Sequence, residues 1–278
     1  MVDVVLLGII EGLTEFLPVS STGHLILAGE LLGFTGEGSV AFKIAIQLGA
    51  ILAVLVAYQR RFRLVVGGLF RRDERAWAFT RNILLGFAPA LAIGVVAYDY
   101  IRAAMQTPEI VAVALIVGGV AILMIERMVR RVTVSEVETM PLKIAGAIGI
   151  VQCLAMVPGV SRSGATIMGA LLMGVERRAA AEFSFFLAVP TMAAATAYAL
   201  YKDRALLGFN DLGAIGIGLA VAFVVALAVV KAFVAVVGRF GFAPFAWYRI
   251  IVGSIAILWL TIEYDRFGII LGAARFIG

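Results

Sequence analysis

Six segments of the chain are long and apolar enough to cross a lipid bilayer, and no other feature constrains the fold as strongly. A spanning helix needs about 20 mostly apolar residues. The segments are residues 41–58, 82–101, 109–126, 182–201, 211–237 and 246–264. The chain is 63% hydrophobic and 15% charged, whereas a soluble domain is about 45–50% apolar and about 25% charged. We therefore predict an all-α integral membrane protein in which residues 1–278 form a single polytopic domain.

Two further apolar segments, residues 2–33 and 142–175, are interrupted by proline and glycine and carry polar residues near their middle. Irregular backbone at membrane depth is tolerated only where protein buries it or where it lines a wet cavity. We therefore predict two re-entrant helical hairpins, each of which enters the membrane and leaves on the same side. Glu11 and Glu15 interrupt the first segment and no basic residues precede it, so we do not expect a cleavable signal peptide.

The basic residues are distributed as this topology predicts. If both hairpins return to the side that they entered, most basic residues lie in loops on one side of the membrane. These are Arg60, Arg61, Arg63, Arg71, Arg72, Arg75, Arg81, Arg127, Arg130, Arg131, Lys143, Arg177, Arg178 and Arg239. Because positive charge accumulates in cytoplasmic loops, we predict that this side is cytoplasmic and that both termini face outward. The net charge of +5 then reflects orientation, and we expect no nucleic-acid binding.

An internal repeat indicates the same topology. Residues 19–26 (VSSTGHLI) resemble residues 160–167 (VSRSGATI), which come 141 positions later, and the same offset pairs Glu11 with Gln152. Three predicted spans separate the two hairpins, so the halves, about 1–140 and 141–278, would have opposite orientations. Inverted repeats with broken helices bind their ligands where the two repeats meet, near the middle of the membrane.

Two carboxylates, Glu11 and Glu15, lie four residues apart in the first hairpin. On a helix they share one face, where like charges repel each other, and an apolar setting makes each charge costly. A bound cation or protonation of one member would explain the pair, and oxygen ligands favour Mg²⁺ or Ca²⁺ over zinc. The simpler explanation is a helix end at the level of the lipid headgroups, with two solvated carboxylates.

A stretch rich in hydroxyl groups follows at once, with the sequence PVSSTGH at residues 18–24. A break at Pro18 should start a new helix near Ser20 or Ser21, whose hydroxyls would cap it. The free N–H groups and the dipole of such a helix end attract anions. His24 is the only histidine of the chain and lies one turn beyond the serines. A lone histidine is usually a hydrogen-bonded packing residue, but here Ser20 or Ser21 could be a nucleophile with His24 as its base, and His24 could itself attack phosphorus.

The second hairpin contains the sequence PGVSRSG at residues 158–164. Arg162 lies where hydropathy predicts membrane depth, so it needs a partner there. A planar guanidinium beside the hydroxyls of Ser161 and Ser163 suits phosphate oxygens. Alternatively, Arg162 only neutralises Glu11 or Glu15 as a structural ion pair.

Several other polar residues fall inside predicted membrane segments. Gln47 and Thr166 are candidates for lining the site. Gln152, Glu182 and Arg249 could also line it, but a role in helix packing or at the membrane interface explains them equally well. The predicted substrate-binding residues are thus Ser20, Thr22, Gln47, Ser161, Arg162, Ser163 and Thr166.

The motifs resemble those of the bacterial undecaprenyl-diphosphate phosphatases, also called the bacitracin-resistance protein family. Residues 11–24 (EGLTEFLPVSSTGH) match the family's Glu/Gln-x-x-x-Glu motif and its serine–histidine stretch, and residues 158–164 match its Pro-Gly-x-Ser-Arg-Ser-Gly motif. The likeness extends to residues 47–53 (QLGAILA) and 186–190 (FLAVP), and no motif position departs from the family pattern. It spans nearly the whole chain.

The resemblance implies an enzyme of the bacterial inner membrane that hydrolyses undecaprenyl diphosphate, recycles the carrier lipid for cell-wall synthesis and gives bacitracin resistance. It also implies a divalent cation, six spans with two re-entrant hairpins, and an active site that faces outward, toward the periplasm. By position, Glu11 and Glu15 belong to the cation or acid–base site and Arg162 grips the diphosphate. The nucleophile stays open among Ser21, His24 and water.

A different function class, a transporter or flippase for a polyprenyl phosphate lipid, would use the same architecture. The glutamates would then form a coupling site and Arg162 an anion-binding group. The serine–histidine stretch beside the carboxylates favours the enzyme, because transport alone does not require it. Undecaprenyl diphosphate and membrane lipid are the expected partners, and the glycine- and alanine-rich segment 211–237 could pack against a second copy in a homodimer.

Overall fold

The computed structural model describes residues 1–128, 132–202 and 209–276, so Arg130 and Arg131 lie outside the described residues. The described part of the chain forms twelve α-helices, two short 3₁₀ segments (Val137–Thr139 and Cys153–Met156) and no strand beyond an isolated bridge between Val134 and Val175. The helices are α1 (Val2–Thr14), α2 (Ser21–Leu32), α3 (Glu37–Ala57), α4 (Gln59–Phe70), α5 (Glu74–Val96), α6 (Tyr98–Ala104), α7 (Pro108–Met128), α8 (Leu142–Gln152), α9 (Arg162–Leu172), α10 (Arg177–Lys202), α11 (Phe209–Phe240) and α12 (Ala243–Phe276).

The long apolar helices agree in number and order with the six predicted spans. By length and composition, α3, α5, α7, α10, α11 and α12 can each cross a membrane. The prediction for the second span, 82–101, was shifted along the chain. Asp73 caps α5 by accepting a hydrogen bond from the N–H of Ala76 at 3.0 Å, and the helix ends at Val96. The predicted start was too late because the charges of Arg75 and Arg81 interrupt the apolar pattern without interrupting the helix.

Each of the two broken segments is a pair of helices that pack on each other across a non-helical stretch. The first pair is α1 and α2, and the second pair is α8 and α9. Residues 15–20 separate the first pair, while a 3₁₀ segment and residues 157–161 separate the second. Below, these two stretches are called the first break and the second break. A proline lies in each, and it ends the helical hydrogen-bond ladder because it has no N–H to donate.

The first break is fixed against the core by Phe16, which is completely buried. Its ring meets the ring of Phe185 on α10 edge to face, with centroids 5.2 Å apart. Such aromatic pairs add about 0.5–1.5 kcal/mol to the stabilisation from burial. Glu15, the residue before Phe16, is thereby held beside α10.

Close helix packing around α11 depends on small residues, as is usual where lipid supplies no hydrophobic drive between helices. A Cβ on Gly49 of α3 would overlap the carbonyl of Leu219. A Cβ on Gly216, in contrast, would meet no atom of the described part of the chain within 4 Å. These two glycines therefore separate the effect of packing from that of helix propensity.

We expect Gly49→Ala to lower the free energy of unfolding by about 1–3 kcal/mol, the usual cost of overpacking. Gly216→Ala should be neutral or slightly stabilising, because alanine is the better helix former by about 1 kcal/mol. Thermal unfolding of both variants in detergent measures the difference. Equal melting temperatures would contradict the close approach of α3 and α11.

Candidate active site

The two breaks end in the same local geometry. Ser20 and Ser161 have φ angles of 72° and 77°, in the left-handed region that side-chain-bearing residues rarely adopt. Each serine caps the helix that follows it: Ser20 Oγ accepts from the N–H of Gly23 at 3.2 Å, and Ser161 Oγ accepts from the N–H of Gly164 at 3.0 Å. The expected hydroxyl cap after Pro18 is thus confirmed, and the second break repeats it. Strained residues of this kind cost about 1–3 kcal/mol each and concentrate at functional sites.

Glu15 is the residue at which the two breaks meet. The hydroxyl of Ser21, at the start of α2, donates a short hydrogen bond to Glu15 Oε2. The guanidinium of Arg162, at the start of α9, donates to Glu15 Oε1 at 3.2 Å. Glu15 and Ser21 are buried, and the side chain of Arg162 is only 11% exposed. A hydroxyl, a carboxylate and a guanidinium are therefore in contact, although Arg162 is distant from the other two residues in sequence.

Arg162 is oriented by α10. Its Nη1 donates to the carbonyl of Ser184 at 2.8 Å and to the Ser184 hydroxyl at 3.3 Å. Thr166 Oγ1 lies 2.8 Å from Ser184 Oγ and donates to the carbonyl of Arg162 at 2.9 Å. The Nε of Arg162 is buried and has no hydrogen-bond partner among the described residues. The guanidinium thus keeps a donor for a ligand while the rest of it is fixed.

Glu11 lies one turn before Glu15 and is completely buried. Neither of its carboxylate oxygens has a hydrogen-bond partner within the described part of the chain. Buried polar atoms are nearly always paired, and an exception calls for an unseen ligand, ion or proton. The two solvated carboxylates considered from the sequence are excluded by this burial.

Two adjoining cavities lie at the meeting point of the breaks. The smaller, about 90 Å³, is lined by polar groups that include Glu15, Ser21 and Arg162. The larger, about 240 Å³, extends between α5 and α10 and is mostly apolar. Both cavities are lined by Thr22, Gln47, Ala155, Pro158 and Arg162. The combined space has one polar end and one apolar end, which suits an amphiphile whose head carries negative charge.

A sequence profile for the family described as bacitracin resistance protein BacA matches residues 4–255, a range that includes both breaks and every residue of the cavities. The chain belongs to the BacA family.

Curated relatives of this BacA-family chain cover almost its full length. It is 74% identical to the undecaprenyl-diphosphatase of Sphingopyxis alaskensis over 261 residues, which are 94% of this chain and 98% of the relative. It is 61% identical to the undecaprenyl-diphosphatase of Rhizorhabdus wittichii over 260 residues, which are 94% of this chain and 97% of the relative. It is 53% identical to undecaprenyl-diphosphatase 2 of Paramagnetospirillum magneticum over 92% of this chain and 97% of the relative.

In this BacA-family chain, His24 lies on the face of α2 that looks toward α12. Its Nδ1 is 2.8 Å from the carbonyl oxygen of Ser20, and its Nε2 is 2.9 Å from the hydroxyl of Tyr248. Because a carbonyl only accepts, Nδ1 carries a proton, and Nε2 of the neutral ring accepts from Tyr248. The imidazole also stacks on the Tyr248 ring, with centroids 5.5 Å apart. The expected contact between His24 and Ser21 is not formed, because the hydroxyl of Ser21 binds Glu15 instead.

The other predicted residues divide into cavity-lining and internally bonded groups. Ser20, Thr22, Gln47 and Ser161 line the smaller cavity. Ser163 instead donates to the carbonyl of Leu17 at 2.7 Å and lies 3.1 Å from Ser161 Oγ, and Thr166 is engaged by Ser184. Gln152 lines the larger cavity, while Glu182 lines a separate one near Arg61 and Arg178.

Sequence reasoning missed Ser184 and Tyr248. Ser184 lies between Phe183 and Phe185 in the sequence, and a single serine in an apolar span is ordinarily a packing residue. Tyr248 is half-exposed, and its hydroxyl contact with His24 joins residues 224 positions apart. Neither residue has a local signal that could have identified it.

Proposed function

We propose that this protein is a membrane phosphatase that hydrolyses undecaprenyl diphosphate to undecaprenyl phosphate and inorganic phosphate, and so recycles the carrier lipid for cell-wall synthesis and gives bacitracin resistance. The contact of Glu15 with both Ser21 and Arg162 carries the proposal. It joins a base, a hydroxyl and an anion-binding cation at the polar end of a cavity that is otherwise apolar. The names of the relatives supply the identity of the lipid.

In this mechanism Ser21 Oγ forms a bond to the terminal phosphorus, and the bond from that phosphorus to the bridging oxygen breaks. Undecaprenyl phosphate leaves with the bonding electrons, and the proton of Ser21 passes to Glu15 and then to solvent. Water next attacks the phosphoserine, gives a proton to Glu15 and releases inorganic phosphate, while Ser21 Oγ leaves and takes that proton back. Arg162 neutralises the charge that develops on the phosphoryl oxygens, the usual main source of catalysis in phosphoryl transfer.

Attack by His24 is the less favoured route in this geometry. Both ring nitrogens of His24 already have partners, so the imidazole would have to leave Tyr248 before it could reach a phosphorus atom. Direct attack by water would leave the hydrogen bond from Ser21 to Glu15 without a catalytic role. The position of Ser21, with its proton already directed at a carboxylate, supports the serine as nucleophile.

A divalent cation, Mg²⁺ or Ca²⁺, fits the donor set of the first hairpin. Glu11 supplies two buried oxygens that have no hydrogen-bond partner in the described ranges, and Glu15 is four residues further on. No group of three or more acidic, histidine or cysteine side chains suited to a metal occurs in the ranges that the structure describes. The remaining ligands would therefore come from water and the substrate, as is usual for Mg²⁺. When bound, the cation supplies positive charge that offsets the carboxylates and the diphosphate.

The proposed topology has the two helix pairs, α1–α2 and α8–α9, as re-entrant hairpins of an inverted repeat. Its support is the similar cap geometry of Ser20 and Ser161, which are 141 positions apart and end the two breaks. The arginine-rich loops would face the cytoplasm, and the site would open to the periplasmic face of the inner membrane.

Phosphate release from a long-chain prenyl diphosphate by the purified protein in detergent tests the function. We expect release in Mg²⁺ or Ca²⁺ and a loss of at least about 10²-fold in chelator, because a charge-stabilising group at the reacting phosphate is worth that much. Restoring the cation should restore the rate. Undiminished release in chelator would remove the cation from the proposal. No release in any condition from folded wild-type protein would overturn the phosphatase itself.

A further inference from the structure

Arg249 of α12 is completely buried, and all of its hydrogen-bond acceptors among the described residues are backbone oxygens. Its five N–H groups match the number of its carbonyl acceptors. Nε donates to one carbonyl at 3.3 Å, and the two terminal nitrogens donate to two carbonyls each, at 2.8–3.0 Å. The acceptors are the carbonyl oxygens of Pro18, Ala114, Leu115, Gly159 and Val160.

Three of these acceptors belong to the two breaks. Pro18 lies in the first break, and Gly159 and Val160 lie in the second. No carboxylate pairs with Arg249 among the described residues. A buried charge without a counter-ion is costly, and an apolar residue would fill a space needed only for packing at lower cost. The burial of a guanidinium here therefore indicates that its role is to make these hydrogen bonds rather than to fill space.

Helix α7, which packs beside Arg249, leaves room for the guanidinium. A Cβ on Gly118 of α7 would overlap Arg249 Nη2, so glycine is needed at that position while Arg249 keeps this conformation. Arg249 thus reaches across α7 to the breaks, and a single side chain joins α7, α12 and both breaks.

Fixing these carbonyls also fixes the residues that follow them. No peptide bond of the described chain is cis, and in a trans peptide the carbonyl and the next N–H point in opposite directions. The Val160 carbonyl faces Arg249, so the N–H of Ser161 points away from Arg249. In the first break, the bound carbonyl of Pro18 comes two residues before Ser20. The two anchored positions therefore closely precede the two left-handed serines.

We propose that Arg249 is a positioning residue that holds Ser20 and Ser161 in their left-handed conformation by binding the carbonyls before them. The residues that follow these serines are Ser21 and Arg162, the two partners of Glu15. Arg249 thus sets the nucleophile and the phosphate-binding cation against the same carboxylate without touching the substrate. The catalytic part of this inference rests on the proposed phosphatase function, whereas the structural part does not.

Arg249→Lys tests the inference in the full-length protein. Lysine keeps the charge but brings at most three donors from one point, so it cannot bind five carbonyls. We expect faster amide hydrogen exchange at residues 18–22 and 159–163, with the spanning helices still protected. We also expect kcat per folded molecule to fall about 10²-fold, the cost of a small misplacement of reacting groups.

Two further variants separate this role from packing and from failure to fold. Gly253→Ala strains the same α7–α12 contact one turn further on, because its Cβ would lie 2.7 Å from Ile116 and 2.8 Å from the carbonyl of Ala112. It should lower the melting temperature and leave both exchange at the breaks and kcat per folded molecule unchanged. Gly118→Ala displaces the guanidinium while keeping Arg249, and it should reproduce the effects of Arg249→Lys in weaker form.

Unchanged exchange at the breaks and unchanged kcat in folded Arg249→Lys and Gly118→Ala would overturn the inference and reduce Arg249 to a packing residue. The exchange measurement needs no turnover. If wild-type protein released no phosphate, the proposed function would fail, yet exchange at residues 18–22 and 159–163 would still decide whether Arg249 holds the breaks.

Discussion

Replacing Arg162 by lysine is expected to lower kcat/KM about 10²- to 10³-fold, the loss seen when one preorganised donor to a developing oxyanion is removed. The Arg162 guanidinium contacts Glu15 through one nitrogen and Ser184 through another. Its buried Nε has no partner among the residues that the structure describes, which leaves this donor for the substrate. A single ammonium cannot serve these three directions together. Lysine is preferable to alanine, because alanine would leave Glu15 buried without its cation and would cost about 3–5 kcal/mol of stability.

The matched control for this variant is Arg177→Lys. Arg177 also begins a helix and also pairs with a glutamate, Glu126, at 3.0 Å, but its side chain is 47% exposed and it lines neither cavity of the site. Its replacement should leave turnover within about threefold of wild type, since exposed ion pairs contribute only about 0–1 kcal/mol. Steady-state phosphate release from a prenyl diphosphate measures both variants. Near-normal kcat/KM in Arg162→Lys would remove Arg162 from phosphate binding.

The second large effect concerns Ser21 and Glu15 as a unit. Glu15→Gln keeps the size of the side chain but removes the base, and we expect kcat to fall about 10²- to 10⁴-fold, the usual contribution of a general base. Ser21→Ala should be at least as damaging, because it removes the nucleophile. The double variant should be little worse than the poorer single variant, since groups that act in one step are strongly non-additive.

Ser254→Ala, a change of the same kind at an exposed position of α12, is the control for the serine variant. Single-turnover kinetics of the four variants distinguish the routes. Multiplicative losses in the double variant would mean that Glu15 and Ser21 act in separate steps. Turnover close to wild type in Ser21→Ala would replace the serine by water or His24 as the attacking group.

These predictions differ in how strongly the sequence alone supports them. The sequence is sufficient to single out Arg162, because a charge in an apolar segment needs a partner wherever the chain folds. It does not indicate the pairing of Ser21 with Glu15, because the spacing of Ser21 and His24 suggests a serine–histidine pair. The helix cap at Ser20 directs the start of α2 so that Ser21 faces Glu15 while His24, three residues on, faces Tyr248. A difference of three residues in a helix is thus enough to place them in different surroundings.

Arg249 shows a second limit on what the sequence alone can predict. Its sequence context is a long apolar helix, in which a single arginine is compatible with a ligand site, a lipid interface or a packing role. The structure gives it five carbonyl partners that are 89 to 231 positions away in the chain. Carbonyl oxygens belong to every residue type, so no residue pattern could have indicated these partners.

The sequence by itself determined the all-helical membrane class, the six long apolar helices, the two breaks with the serine cap of the first, and most of the polar residues that line the candidate site. These properties are local: the length of an apolar run, a proline or a serine at a helix start, or a charge in an apolar segment acts within a few residues. Only the tertiary structure decided which polar groups touch. Arg162 and Glu15 are 147 positions apart. Their contact depends on how the two helix pairs pack against α7, α10 and α11, which is a property of the whole packed molecule.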